Sequence, residues 1–267
     1  RQCIRRPGML AELVEEGFAA SRSAADYQQR VAQAIAAAEP GDQGLMRALR
    51  LLRQKEMVRI AWRDLAGLAE VEQVLHELSD FAEAVIVRTL DHLYQQTTEI
   101  LGVPTNAHGE AQQMVVLAMG KLGGRELNYS SDIDLIFAYP EDGSTEGGRQ
   151  LSNHEFFLRL ARKLVRSLDE ITAEGFVFRV DTRLRPNGDS GPLAINFNAM
   201  EQYYQLQGRD WERYAMIKAN IISGRDADRD QLASLLRPFT YRRYLDFGAF
   251  ESIREMKGMI EAEMRRK

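Results

Sequence analysis

The spacing of hydrophobic positions changes along this chain, and the change divides it. Up to about residue 100 they recur every three or four residues, the spacing of helices that bury one stripe. The alanine-rich stretch 24–38 favours helix and is broken by Pro40-Gly41-Asp42. A second helix is expected over 45–65, ending near Gly67. The clearest stripe is Val71, Val74, Leu75, Leu78, Ala82, Val85, Ile86, Leu90 and Leu93. Beyond a punctuated linker, Gly102-Val103-Pro104 to Gly109, short continuous apolar runs take over. Val115–Met119 reads as a buried strand or the start of a buried helix, and Ile133–Tyr139 as a core strand.

Pro140–Gly148 is polar and glycine-rich, which predicts a surface loop. Ser152-x-x-Glu155 is a capping box ahead of the stripe Phe156, Phe157, Leu160, Leu164, Val165 and Leu168. Phe176–Arg183 alternates with period two. The spacing predicts a strand with Phe176, Phe178 and Val180 on one face and Val177, Arg179, Asp181 and Arg183 on the other. Helices are expected again with a polar start at Asn198-x-x-Glu201, with Asp210 as a cap, and over 239–267. Trp211, Tyr214 and Lys218 then share a helical face, read as core before a base-stacking platform. These patterns predict an α+β fold: a helical region over 1–107, a domain containing strands over 108–224, and the start of a second helical region over 225–267.

Composition narrows the classes. The 267 residues are 45% hydrophobic and 28% charged, which is globular and enough for one large or two modest domains. A net charge of −4 disfavours a broad nucleic-acid surface, and the absence of an 18-residue apolar run disfavours a membrane span. One cysteine, Cys3, excludes an internal disulfide framework and fits a reducing cytoplasm. The chain begins at Arg1 and stops inside a charged, helix-like run, which reads as a piece of a longer protein.

The candidate chemistry lies between the two apolar runs. Gly120, Gly123 and Gly124 can adopt positive φ and approach a ligand, and Asp132 and Asp134 follow at the mouth of the second strand, on one face. Two adjacent carboxylates repel and raise one pKa unless a cation lies between them. Mg²⁺ suits hard oxygen ligands together with substrate phosphates, and a glycine turn offers backbone N–H groups for phosphate. On the later strand, Asp181 can complete the set, with Arg183 and Arg185 facing phosphate oxygens. Two plainer readings stand beside this: Ser131-Asp132 capping a turn with Asp134 solvated, and a surface salt-bridge ladder along 179–183. Gly120-Lys121 lacks the rest of a P-loop, no dinucleotide fingerprint occurs, and four scattered histidines, His76, His92, His108 and His154, give no zinc pattern.

Gly-Gly, a spacer, Asp-x-Asp and a later strand carboxylate resemble the nucleotidyltransferase superfamily of DNA polymerase beta, which implies that 108–224 is a nucleotidyltransferase catalytic domain built on a mixed sheet. Three longer stretches, Met119–Phe137, Phe178–Pro186 and Gly208–Ala215, resemble the bifunctional glutamine synthetase adenylyltransferase/adenylyl-removing family. Asn128-Tyr129-Ser130, Ala138-Tyr139-Pro140-Glu141 and Gly208-Arg-Asp-Trp-Glu-Arg-Tyr214 are similar to its N-terminal, adenylyl-removing half; the adenylylating half reads Thr-Ala-Gly at 128–130. The resemblance implies phosphorolysis of an adenylyl-tyrosine on glutamine synthetase, phosphate entering and ADP leaving, with the PII signal protein as a regulator. The site expected on this reading has two Mg²⁺ ions held by Asp132, Asp134 and Asp181. Phosphate or nucleotide would be held by Gly120, Lys121, Gly123, Gly124, Ser130, Ser131, Arg183 and Arg185. ATP-dependent adenylylation and a non-catalytic nucleotide- or signal-protein-binding module are the alternatives.

Overall fold

The computed structural model describes residues 6–241 and, beyond them, positions 251, 254, 255, 257–259, 261, 262 and 265. Cys3 and 242–250, within the helix expected over 239–267, lie outside the described residues. Four helices come first: α1 (Pro7–Glu15), α2 (Ala24–Ala36), α3 (Asp42–Leu65) and α4 (Val71–Leu101). Ser23 caps α2 in a reciprocal box with Asp26, and Gly41 at φ +93° separates α2 from α3. The stripe expected over 71–93 faces the core, with Leu75 half-buried and Val71 left exposed at the first turn. The helix runs eight residues further, because nothing breaks it before Gly102 at φ +86°.

The sheet follows. β1 (Val103–Thr105) pairs antiparallel with β4 (Ser144–Glu146), so the expected loop at 140–148 contains a strand. In the main sheet, β2 (Val115–Met119) lies antiparallel to both β3 (Ile133–Tyr139) and β7 (Asn220–Ile221). Along its outer edge β3 takes two short parallel partners, β5 (Val180–Asp181) near its start and β6 (Ala194–Asn196) near its end. Among the helices that cover this sheet are α5 (Gly120–Gly123), α6 (Asn153–Asp169), α7 (Phe197–Leu206), α8 (Asp210–Met216) and α9 (Asp226–Thr240). The mixed sheet with flanking helices is the α+β class that the patterning predicts.

Both faces of β2 and β3 are buried, which is why they read as continuous apolar runs instead of alternating ones. Val116, Ala118, Ile133, Leu135 and Phe137 enter a core shared with α2, α3, α4 and α6. Val115, Leu117, Met119, Ile136 and Ala138 enter a second core with α7, α8 and α9.

Several local expectations are corrected. The strand expected over 176–183 is only Val180–Asp181. Upstream, the N–H groups of Val177 and Phe178 both donate to the Leu168 carbonyl at the end of α6, which bends the backbone and buries two consecutive side chains. The cap of α7 is Asn196, whose side chain accepts from Ala199 N–H at 2.7 Å, two residues before the expected Asn198. At α8, Glu212 rather than Asp210 closes the N-terminus by accepting from Arg209 N–H. Trp211 and Tyr214 are 40% and 53% exposed and are not core.

Charged residues hold the N-terminal helices together. Arg59, fully buried on α3, donates to Glu56 (3.0 Å), to the Tyr27 hydroxyl (2.5 Å) and to the Ala20 carbonyl (2.9 Å), and pairs with Glu77 of α4. Arg63 also pairs with Glu77. Removing one member of such a buried set leaves the others uncompensated. Arg59→Met is therefore expected to cost about 3–5 kcal/mol, read as a lower urea midpoint at unchanged m-value.

Candidate active site

Sheet register brings the acidic residues together. Asp134 is opposite Asp181 in the parallel β3–β5 pair, one position beyond Ile133 opposite Val180. Neighbouring strands are about 4.8 Å apart, so these two carboxylates leave the same face of the sheet side by side. Asp132, one residue before β3, is half-exposed. Burial pushes the Asp134 carboxyl above the ordinary carboxylate range, and the charges of Asp181 and then Asp132 push it further. Asp181 is shifted the other way, because Arg183 hydrogen-bonds its carboxylate and outweighs the opposing effect of burial.

The glycine turn delivers close approach, at different residues from those expected to adopt positive φ. Gly120 alone of the three has positive φ, +57°, and a Cβ there would lie 3.1 Å from Asp134 Oδ2. A Cβ on Gly123 would strike the Lys218 and Ala118 carbonyls at 2.0 and 2.4 Å. Gly124 stays right-handed, and Arg125 takes the left-handed position at φ +57°. The N–H groups of Gly124, Arg125 and Glu126 go to the carbonyls of Gly120, Leu122 and Lys121, a Schellman-type closure, so they are not free to cradle an anion.

The remaining expected residues divide into two groups. Lys121 Nζ donates to Ser131 Oγ at 3.2 Å, which places the turn and the aspartate loop side by side. Ser131 Oγ in turn donates to Asn128 Oδ1 at 2.7 Å, and Ser130 N–H to the same oxygen at 3.2 Å. Arg183 grips both oxygens of Asp181 through Nε, at 2.9 and 3.0 Å, and is itself 72% exposed. Arg185 is buried and committed elsewhere: it donates to the carbonyls of Thr182 (2.8 Å) and Gly191 (3.2 Å) and holds the loop between them.

Sequence reasoning missed Arg179. Its Nε lies 2.5 Å from Asp132 Oδ1 and its Nη2 donates to the Ser130 carbonyl at 2.7 Å. The signal was present, since Arg179 was placed on the same strand face as Asp181 and Arg183. Among the described residues no three His, Cys, Asp or Glu side chains stand grouped as a metal-ligand set. Asp132 and Asp181 are instead paired with Arg179 and Arg183, whose side chains are 55% and 72% exposed.

Comparison with known proteins gives the family. Residues 1–234 match the model of the glutamate-ammonia ligase adenylyltransferase family. The chain belongs to that family. It is 56% identical over 99% of its length to the bifunctional glutamine synthetase adenylyltransferase/adenylyl-removing enzyme of Nitrosococcus oceani. It is 52% identical over its whole length to the enzyme of that name from Thioalkalivibrio sulfidiphilus, and 54% identical over 83% to that of Shewanella woodyi. It spans 28% of the length of the first two of these relatives and 23% of the third. Among the described residues no helix is long and apolar enough to cross a membrane.

In this family member the acid cluster has a measurable consequence. A carboxyl whose pKa is raised on folding leaves the folded state holding more protons than the unfolded chain. Its effect on stability is therefore best in acid and worsens as pH rises from the ordinary carboxylate range through the raised value. In chelator at pH 7, Asp134→Asn is expected to raise the melting temperature by about 2 °C, a small gain because the group keeps partial contact with solvent. The difference from the parent should close as pH falls towards 4, which paired melting curves across that range would show.

Proposed function

We propose that this chain transfers an adenylyl group at phosphorus, in the removing direction. Inorganic phosphate attacks the phosphorus of an AMP esterified to a tyrosine of glutamine synthetase, the bond from phosphorus to the tyrosine oxygen breaks, and ADP and the free tyrosine are released. The observation that carries the reading is the register of Asp134 against Asp181, with Asp132 beside them and Gly120 leaving the Asp134 carboxylate uncovered. Glutamine synthetase as the protein acted on comes from the names of the relatives. The removing direction comes from Asn128-Tyr129-Ser130, where the adenylylating half reads differently.

Asp132, Asp134 and Asp181 are not grouped as a ligand set while Arg179 and Arg183 hold the outer two, and our reading is that a divalent cation takes the place of those arginines. Three carboxylates are hard oxygen ligands, Asp134 has its pKa raised by burial first and by the charges of Asp181 and Asp132 after it, and the arginines on the outer two are exposed enough to exchange at little cost. Asp132, Asp134 and Asp181 would hold Mg²⁺, which supplies charge stabilisation to the phosphoryl oxygens and to the departing tyrosyl oxygen. Lys121 and Ser131, already hydrogen-bonded to each other, are set to orient phosphate oxygens. Arg179 and Arg183 can turn on their long stems to the same oxygens, where a planar guanidinium gives bidentate contacts. Arg185, which donates to the carbonyls of Thr182 and Gly191, is assigned in this reading to support of the loop Pro186–Gly191.

Adenylylated glutamine synthetase with phosphate, and unmodified glutamine synthetase with ATP, offered separately, test the direction. ADP release is expected from the first set only; AMP incorporation from the second would reverse the assignment. Asp134→Asn should retain the fold and lose ADP release roughly a thousandfold, the loss of several kcal/mol of transition-state stabilisation. Mg²⁺ should raise the melting temperature of the parent but not of the variant. Equal turnover in the two proteins would overturn the site.

A further inference from the structure

The loop that presents Asp132 is not held only by the sheet. Between the Schellman-type closure at Glu126 and the start of β3 at Ile133 the chain runs through Leu127-Asn128-Tyr129-Ser130-Ser131, with no strand partner. Three hydrogen bonds tie this segment and the turn before it to the N-terminal helices. Leu127 N–H donates to Ser79 Oγ at 3.1 Å, and that buried hydroxyl donates on to the Leu75 carbonyl at 2.8 Å. Arg125, in its left-handed conformation, donates to Asp80 Oδ1 at 2.6 Å. Tyr129 reaches furthest, its hydroxyl donating to Asp64 Oδ2 at 3.1 Å at the last turn of α3.

These ties differ in what they restrain. Ser79 and Asp80 sit one after the other on α4 and fix the base of the loop, where the backbone is already closed by the turn. Among the described residues Tyr129 is the one hydrogen-bonded anchor of the loop on the helices beyond residue 127, three residues from Asp132. On the far side of the loop, Lys121 holds Ser131 and Arg179 holds the Ser130 carbonyl and Asp132. Those three contacts belong to groups that must meet substrate if the proposed reaction is right. Among the described residues Tyr129 forms no hydrogen bond with Asp132, Asp134 or Asp181, and burial together with the Asp64 charge keeps its hydroxyl protonated well above neutral pH. At neutral pH it is therefore a donor to Asp64.

We infer that Tyr129 is a positioning residue: through its hydrogen bond to Asp64 it holds the 128–132 loop in the place that lets Asp132 stand with Asp134 and Asp181. The N-terminal helices thus act on the candidate active site directly, from the end of α3. The catalytic consequence rests on the proposed phosphoryl chemistry; the restraint itself does not.

The test is a cycle of Tyr129→Phe, Asp64→Ala and the double variant, with Asp64→Asn as the conservative member because its amide oxygen still accepts from the hydroxyl. Two readouts are taken. In steady-state phosphorolysis of adenylylated glutamine synthetase, Tyr129→Phe and Asp64→Ala should each lower kcat about tenfold with KM within twofold. The double variant should be no worse than either single, and Asp64→Asn should return to within twofold of the parent. In hydrogen exchange, the amides of Ser130, Ser131 and Asp132 should exchange at least tenfold faster in Tyr129→Phe and Asp64→Ala. Amides at the ends of the Ser79 and Asp80 ties should be unchanged, as should the melting temperature within 2 °C. Additive kcat losses, or unchanged exchange at 130–132, would overturn the inference. A parent with no turnover but the exchange pattern described would sink the phosphorolysis reading and leave the restraint standing.

Discussion

A carboxylate placed where a doubly covered sheet has little room for charge governs the rest of this site. Along β3 every second residue enters one core and the intervening ones the other, and Asp134 occupies a position of the second series, in line with Ile136 and Ala138. Its parallel neighbour at that level is another aspartate. The arrangement is tolerable only at the edge of the cores, and the chain makes that edge by turning β2 away immediately after Met119, the antiparallel partner of Asp134. Glycine follows at once, since a side chain at 120 would crowd the carboxylate and φ is +57° there. Gly123 then allows the turn to rest on the Lys218 and Ala118 carbonyls, where a methyl group would collide with backbone. Three features read separately along the sequence, the end of a strand, a pair of glycines and Asp-x-Asp, are thus one steric and electrostatic solution.

The N-terminal helices belong to the same solution. Arg50, fully buried on α3, donates to the Ser167 carbonyl at 3.0 Å, the Gly175 carbonyl at 2.7 Å and the Glu170 carbonyl, which satisfies acceptors left over at the end of α6. Gln54 takes the Glu174 carbonyl at 2.7 Å, and Arg53 lies 5.1 Å from the centre of the Phe176 ring. These contacts fix the connection that leads into β5 and so the height at which Asp181 meets Asp134. A β5 of only two residues has too few ladder hydrogen bonds to fix its own register. α3 supplies what the short strand lacks.

How much of this could be read in advance depended on whether neighbouring residues or distant ones decided the outcome. β2, β3 and the stripes of α4 and α6 were legible, because burial on both faces or one stripe leaves a periodic signature whatever the partner is. β5 was overestimated: Phe176–Arg183 alternates well, but a carbonyl eight residues upstream of Phe176, at Leu168, captures two successive N–H groups. Positive φ was expected across the glycines, and Gly120 has it, whereas Arg125 holds the left-handed position closing the turn, a strain that non-glycine residues carry only when surroundings fix them. The network of Arg59, Glu56, Glu77 and Arg63 was invisible for a different reason. Arginine and glutamate three or four apart on a helix describe a solvated face equally well, and only packing reveals that α2 and α4 cover this one.

Charge balance explains why the acid cluster can exist in the folded chain at all. Asp132 is matched by Arg179 and Asp181 by Arg183, while Asp134 has no cationic partner among the described residues. Three negative charges against two positive leave one in excess, and it falls on Asp134, whose pKa is raised by burial first and by the charges of Asp181 and Asp132 next. Both arginines stand within two residues of Asp181 on either side of the short strand, so the segment bringing a third carboxylate also brings the charge that makes it bearable. Being exposed, they offset repulsion without locking the carboxylates, because ion pairs open to water are worth about 1 kcal/mol or less. A lysine could offset the same charge but could not grip both oxygens of Asp181 as the Arg183 fork does. The site is therefore held together by interactions weak enough to give way to a stronger positive ligand, with the residual charge concentrated on Asp134, where such a ligand would gain most.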